Sequence, residues 1–169
     1  MNKEVYLGDY RYKALQNLTR ARFYTVQNLV REKQRFLNVL FKKYSSMTQE
    51  KVFSDTFSTT ALAVYEEFES AEALAYMDLH ELTDFIMEKG KKRFPDPDAV
   101  AKAIQKAARS SYRLPKTVND SVNQVLSISI TSIKALESQI KEFDRAITAQ
   151  AELLSNVLIS IPGIGPVIS

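Results

Sequence analysis

Residues 122–161 read VNQVLSISITSIKALESQIKEFDRAITAQAELLSNVLISI, and the apolar positions in this stretch decide the fold class. From Val122, alternating steps of four and three land on Leu126, Ser129, Ile133, Leu136, Ile140, Phe143, Ile147, Gln150, Leu154, Val157 and Ile161, and ten of those twelve positions are apolar. A repeat of 3.5 residues held this long describes a helix whose seam demands a left-handed coiled-coil partner. That partner is either the first long helix of the chain folded back or a second copy of the chain. The two polar seam residues, Ser129 and Gln150, either specify register or are a tolerated small residue and a partly exposed amide.

The rest of the chain suits helices and little else. Its 169 residues, 45% of them hydrophobic, suffice for one domain with a core and are too few for two. Four Gly and five Pro cannot supply the frequent turns of a β-sandwich or an α/β fold. With no Cys there is no disulfide framework, thiolate nucleophile or Cys-based zinc site, and His80 as the single histidine leaves no His-pair metal site. No apolar run approaches the ~18–20 residues of a spanning helix, and none follows Met1, so neither a membrane span nor a signal peptide is read and a cytoplasmic location is expected.

A first long helix is expected from about Asp9 to Tyr44, where neither Gly nor Pro intervenes and Phe23, Val26, Val30, Leu37, Leu40 and Tyr44 trace an apolar stripe. Lys33 occupies the missing stripe position and Arg22 falls inside the apolar arc. Both are read as snorkelling side chains or as members of a buried ion pair. Between the long helices lies a helical insert. Asp78-Leu79-His80-Glu81 is a capping box opening a helix that ends at Gly90, and Asp96 caps a second with Pro97 at its first position, running to about Tyr112 before Leu114-Pro115. A further helix is expected between about Thr48 and Phe68. The fold class is therefore all-α, a long antiparallel coiled coil with a small helical insert, divided as 1–47, 48–117, 118–160 and 161–169.

Charge is arranged in blocks along these elements. Residues 1–47 hold ten Lys/Arg against three Asp/Glu, 48–90 hold two against ten, 91–118 hold eight against two, and 119–169 hold three against five. The total of +3 is too small to argue for a nucleic-acid partner, but its distribution is informative. On a helical wheel Arg20, Arg31, Arg35 and Lys42 fall within about 60 degrees of one another, opposite the apolar stripe. Only Glu32 lies among them to form i,i+4 pairs, and an unpaired basic ridge repels itself unless a polyanion covers it. Lys91, Lys92 and Arg93 form a smaller basic connector.

No residue set assembles an active site. His80 belongs to a first helical turn, Glu66, Glu67 and Glu69 fan out around one helix, and there is no Gly-rich phosphate loop, nucleophile elbow or helix-borne metal motif. At the end, Ile161-Pro162-Gly163-Ile164-Gly165-Pro166 reads as the hairpin of a helix-hairpin-helix element, truncated at Ser169, in which Gly163 and Gly165 uncover backbone amides for a phosphate. It reads equally as a helix C-cap with a proline stop.

Several stretches resemble, in order, the segment that follows the nuclease domain in the DEDD-type insertion-sequence transposases, the bridge-RNA-guided recombinases related to the Piv-type DNA invertases. They are Leu15-Gln16-Asn17-Leu18-Thr19-Arg20-Ala21-Arg22, Leu29-Val30-Arg31-Glu32, Arg35-Phe36-Leu37-Asn38, Lys51-Val52-Phe53-Ser54-Asp55, Met77-Asp78-Leu79-His80-Glu81-Leu82, Ala107-Ala108-Arg109-Ser110-Ser111 and the terminal Pro-Gly hairpin. The resemblance implies a central fragment. In the family an upstream RuvC-like domain holds a divalent metal, magnesium, on four acidic ligands, and a domain beginning near the hairpin carries a serine nucleophile farther on.

Neither catalytic set maps onto a residue here. Met1 falls after the acidic motif and Ser169 before the nucleophile position, so no catalytic residue, metal or cofactor is expected in this chain. The implied partners are DNA, a structured guide RNA and further copies of the chain, with no membrane. A non-enzymatic oligomerisation module is the competing expectation, in which the acidic and basic blocks pair with each other.

Overall fold

The long uninterrupted apolar repeats become two long helices, and the capped segments between them become short ones. In the computed structural model, which describes the backbone of residues 3–91 and 93–159, they are α1 (Lys3–Lys43), α2 (Ser45–Gln49), α3 (Thr59–Glu67), α4 (Ala71–Tyr76), α5 (Leu79–Gly90), α6 (Pro97–Ser110) and α7 (Lys116–Ile159). Among the described residues there is no strand, and α1 and α7 pack together as an antiparallel pair. The hairpin from Ile161 to Pro166, with Gly163 and Gly165, lies outside the described residues, as does Lys92.

The chain divides into two compact units, and the division cuts both long helices. The first comprises residues 1–31 and 133–169, the second residues 32–132. In the first unit Leu15, Leu18, Arg22, Thr25 and Leu29 of α1 turn away from solvent, and on α7 Ile133 is buried while Leu136, Ile140, Phe143, Ile147, Gln150, Leu154 and Val157 are half-buried. Arg22 donates through Nε to the Asp144 carboxylate. The two side chains are 40% and 51% exposed, so this is a solvent-screened surface ion pair and not the buried one considered from sequence.

The second unit holds most of the aromatic core. Its buried apolar side chains include Phe36, Leu40 and Tyr44, Leu62, Val64 and Tyr65 of α3, Leu74 of α4, Leu82 and Ile86 of α5, Ile104 of α6, and Val122, Leu126 and Ile130 of α7. Tyr65 is central, with the Phe36, Tyr44 and Phe53 rings 6.0, 6.1 and 6.0 Å away. Inside the seam Ser129 is buried and donates to Glu32 Oε1 at 2.5 Å, while Glu32 Oε2 accepts from Arg35 at 3.3 Å.

Of the apolar stripe read on α1, Leu40 and the following Tyr44 are fully buried and Val26 and Leu37 half-buried, whereas Phe23 and Val30 lie outside the packed face. Phe23 and Val30 are 56% and 58% exposed, and the inward positions are Arg22, Thr25, Leu29, Glu32, Phe36 and Leu40. Four of these six are the apolar or small choices, and the charged two, Arg22 and Glu32, find Asp144 and Ser129 opposite them. The Lys33 ammonium sits 4.8 Å over the Phe57 ring.

In the insert, caps set the boundaries. The Asp78 carboxylate accepts from the His80 and Glu81 amides at 2.8 and 3.2 Å, and that of Asp96 accepts from the Ala99 amide at 2.9 Å. Asp78→Ala is expected to cost about 1 kcal/mol, read as a lower urea midpoint at unchanged slope. Helix α5 ends at Gly90, as the sequence leads one to expect, and Lys91 after it takes the left-handed conformation at φ 48. Glycine is required at position 90 because a Cβ would meet the Phe94 ring at 2.5 Å.

The helix expected over Thr48–Phe68 is split. Residues 50–58 are irregular, with Lys51 at φ 48, because the Asp55 side chain accepts from the Phe57 amide at 2.9 Å and Ser58 caps the start of α3. Helix α4, opened by Ser70 accepting from the Ala73 amide, was not anticipated. Helix α6 stops two residues early, since the Ser111 hydroxyl donates to the Ala107 carbonyl and accepts from the Ser46 amide.

Candidate nucleic-acid interface

The side of α1 that faces away from the seam is basic in both units. In the first unit Arg20 and Arg31 are exposed, and among the described residues neither has a carboxylate within 4 Å. At 100 degrees per residue, Lys13, Arg20, Tyr24 and Arg31 lie within about 40 degrees of one another, with Asn17 and Asn28 alongside. All six are exposed, and no acidic side chain interrupts them. Arg20 and Arg31 stand about 16 Å apart along the axis, the length of about five nucleotides at 3.4 Å each.

Sequence reading had found the arginines and passed over Asn17, Tyr24 and Asn28. The signal was there, because those residues repeat at the spacing of the arginines, but amides and tyrosines carry no net charge to draw attention. They matter chemically. A cation fixes a phosphate, whereas an amide can hydrogen-bond a base edge and a tyrosine ring can stack on one.

In the second unit Arg35 and Lys42 are exposed on the same helix. Arg35 is tethered to Glu32, while Lys42 has no carboxylate within 4 Å among the described residues. Lys91 and Arg93 are exposed at the end of α5. His80 is exposed in the first turn of α5, 3.2 Å from Asp84, and its pKa is raised by a hydrogen bond to its own backbone and by that carboxylate. Glu69 pairs with Lys116 at 3.5 Å, and among the described residues no three His, Asp or Glu side chains converge as a metal site. No described helix is long and apolar enough to cross a membrane.

Comparisons of the chain with protein-family models, curated proteins and solved structures give no match.

Proposed function

We propose that this chain is the connecting part of a DNA transposase of the DEDD insertion-sequence type, and that the outward face of α1 holds the phosphate backbone of DNA or a structured RNA. The observation that carries the reading is the face bearing Arg20, Tyr24 and Arg31, solvent-exposed and free of acidic side chains. The ordered motifs from Leu15 to Ser111 support the family. The chain's own share of the work is positional: it joins a metal-bearing nuclease domain to a serine-bearing domain, in the cytoplasm, and supplies neither catalytic set.

The test is salt dependence. Binding of a short duplex or RNA hairpin is expected to weaken linearly with log salt, and replacing Arg20 and Arg31 together by Ala should flatten that slope by about 0.9 per lost phosphate contact on duplex DNA. An identical slope in the double variant would remove α1 from the interface.

A second reading is favoured by Phe23 and Val30, seven residues apart and both exposed. Such an apolar pair suits contact with another copy of the chain, making the protein an oligomerisation module. A mass that rises with concentration and ignores added nucleic acid supports this reading over the first.

A further inference from the structure

Within the second unit, a cleft of about 400 Å³ opens between the start of α3 and the end of α5. One wall is the α3 N-terminus. Ser58 uses its hydroxyl to accept from the Ala61 amide and its carbonyl to accept from the Leu62 amide, which leaves the amides of Thr59 and Thr60 as the unclaimed donors of the first turn. The opposite wall carries Lys89, Lys91 and Arg93. Among the described residues Lys91 and Arg93 have no carboxylate within 4 Å, while Lys89 pairs with its neighbour Glu88 at 3.5 Å and lies 5.5 Å over the Phe85 ring. None of the side chains lining the cleft is acidic.

The deepest polar group is Thr60. It is only 5% exposed, it lines the cleft, and its Oγ1 lies beside Gly90, 3.5 Å from where a Cβ there would stand. Among the described residues no protein group pairs with that hydroxyl, and because it is not a fully enclosed atom, what it meets is the space of the cleft. Three cations, two helix-start amides and a spare hydroxyl around one space suit a tetrahedral oxyanion with several acceptor oxygens.

We propose that this cleft binds a phosphate group. The site is separate from the α1 face and does not depend on it; only the identification of the phosphate as part of a nucleic-acid backbone rests on the reading above. The alternative role for Lys89, Lys91 and Arg93, offsetting the partial negative charge at the end of α5, gives Thr60 nothing to do.

The experiment is an amide NMR titration of the full chain with inorganic phosphate at constant ionic strength. Saturable shifts are expected at Thr59, Thr60 and Lys91. Thr60→Val should weaken the apparent Kd about tenfold, as loss of a hydrogen bond to a charged group does, and the Lys91→Ala, Arg93→Ala pair should abolish saturation, both with the other amides unmoved as evidence of folding. A short RNA oligonucleotide that displaces phosphate from these amides identifies a backbone source; phosphate binding that the oligonucleotide leaves untouched identifies a small phosphate ester. Either arm can be run on the Arg20→Ala, Arg31→Ala variant, so loss of the α1 interface and loss of the cleft are separately visible. Non-saturating shifts spread over all lysines, or a Kd unchanged in Thr60→Val, overturn the proposal.

Discussion

Raising the pH from 7 towards 10 is expected to stabilise this protein by up to about 3 kcal/mol through one side chain, Lys43. Its side chain is 2% exposed, and its ammonium donates to the Tyr65 and Phe68 carbonyls at 3.0 and 2.5 Å at the end of α3. Desolvation lowers its pKa to about 8, against a smaller opposing pull from Glu69. Between pH 8 and the ordinary lysine value of 10.5 the unfolded chain therefore holds a proton that the native chain has released. Stability rises with pH across that window, and the gain is absent below pH 8.

Above pH 10 the tyrosines reverse the slope. Burial raises the pKa of Tyr44 and of Tyr65, so the native state keeps phenol protons that the unfolded chain loses. The contribution of the three groups thus has its maximum near pH 10. Denaturant unfolding at pH 7, 8, 9 and 10 of the wild type and Lys43→Met checks this. The difference between the two stability curves should grow across the window, because methionine fills the volume and has no proton to lose. Parallel curves would mean that water reaches the ammonium.

Phe36→Ala is expected to cost about 3–5 kcal/mol, a large share of the 5–15 kcal/mol that holds a typical domain together. Phe36 is fully buried, with the Phe57 and Tyr65 rings 5.5 and 6.0 Å away, and removing it leaves a void that those rings cannot close by small shifts. Phe23→Ala, on the same helix, should change stability by under about 0.5 kcal/mol, since Phe23 is 56% exposed. Urea midpoints of the two variants measure the register of α1 directly. Comparable losses from both would restore the stripe through Phe23 and Val30 and remove the one through Phe36.

That register shows where local pattern is a sufficient guide and where it is not. Helix α7 keeps one unbroken seam, which turns inward even though Val125, Ile128 and Leu153 stay exposed beside it, and its start and length follow from Pro115 and from that repeat. Helix α1 has two stripes one residue apart. One contains Phe23, Val30 and Leu37; the other contains Leu29 and Phe36 but also Arg22, Thr25 and Glu32, and hydropathy alone prefers the first. Thr25 and Phe36 of the second are buried where Phe23 and Val30 of the first are exposed, and Ser129 stands where the half-buried Glu32 needs a partner. A polar group's cost on an inward face depends on its partner, and the partner is more than ninety residues away.

The candidate sites divide the same way. A basic face on α1 can be read from spacing alone, since 100 degrees per residue aligns Arg20 with Arg31 whatever surrounds them. The cleft cannot, because Thr60 and Arg93 are brought to one space by the packing of α3 and α5, and nothing in either segment announces the other. Helix content, caps and the α7 seam are properties of neighbours within a few turns, written in residue order. Which stripe of α1 turns inward, how Lys43 comes to be buried, and what gathers around Thr60 depend on groups distant in the chain, and they were settled when those groups packed.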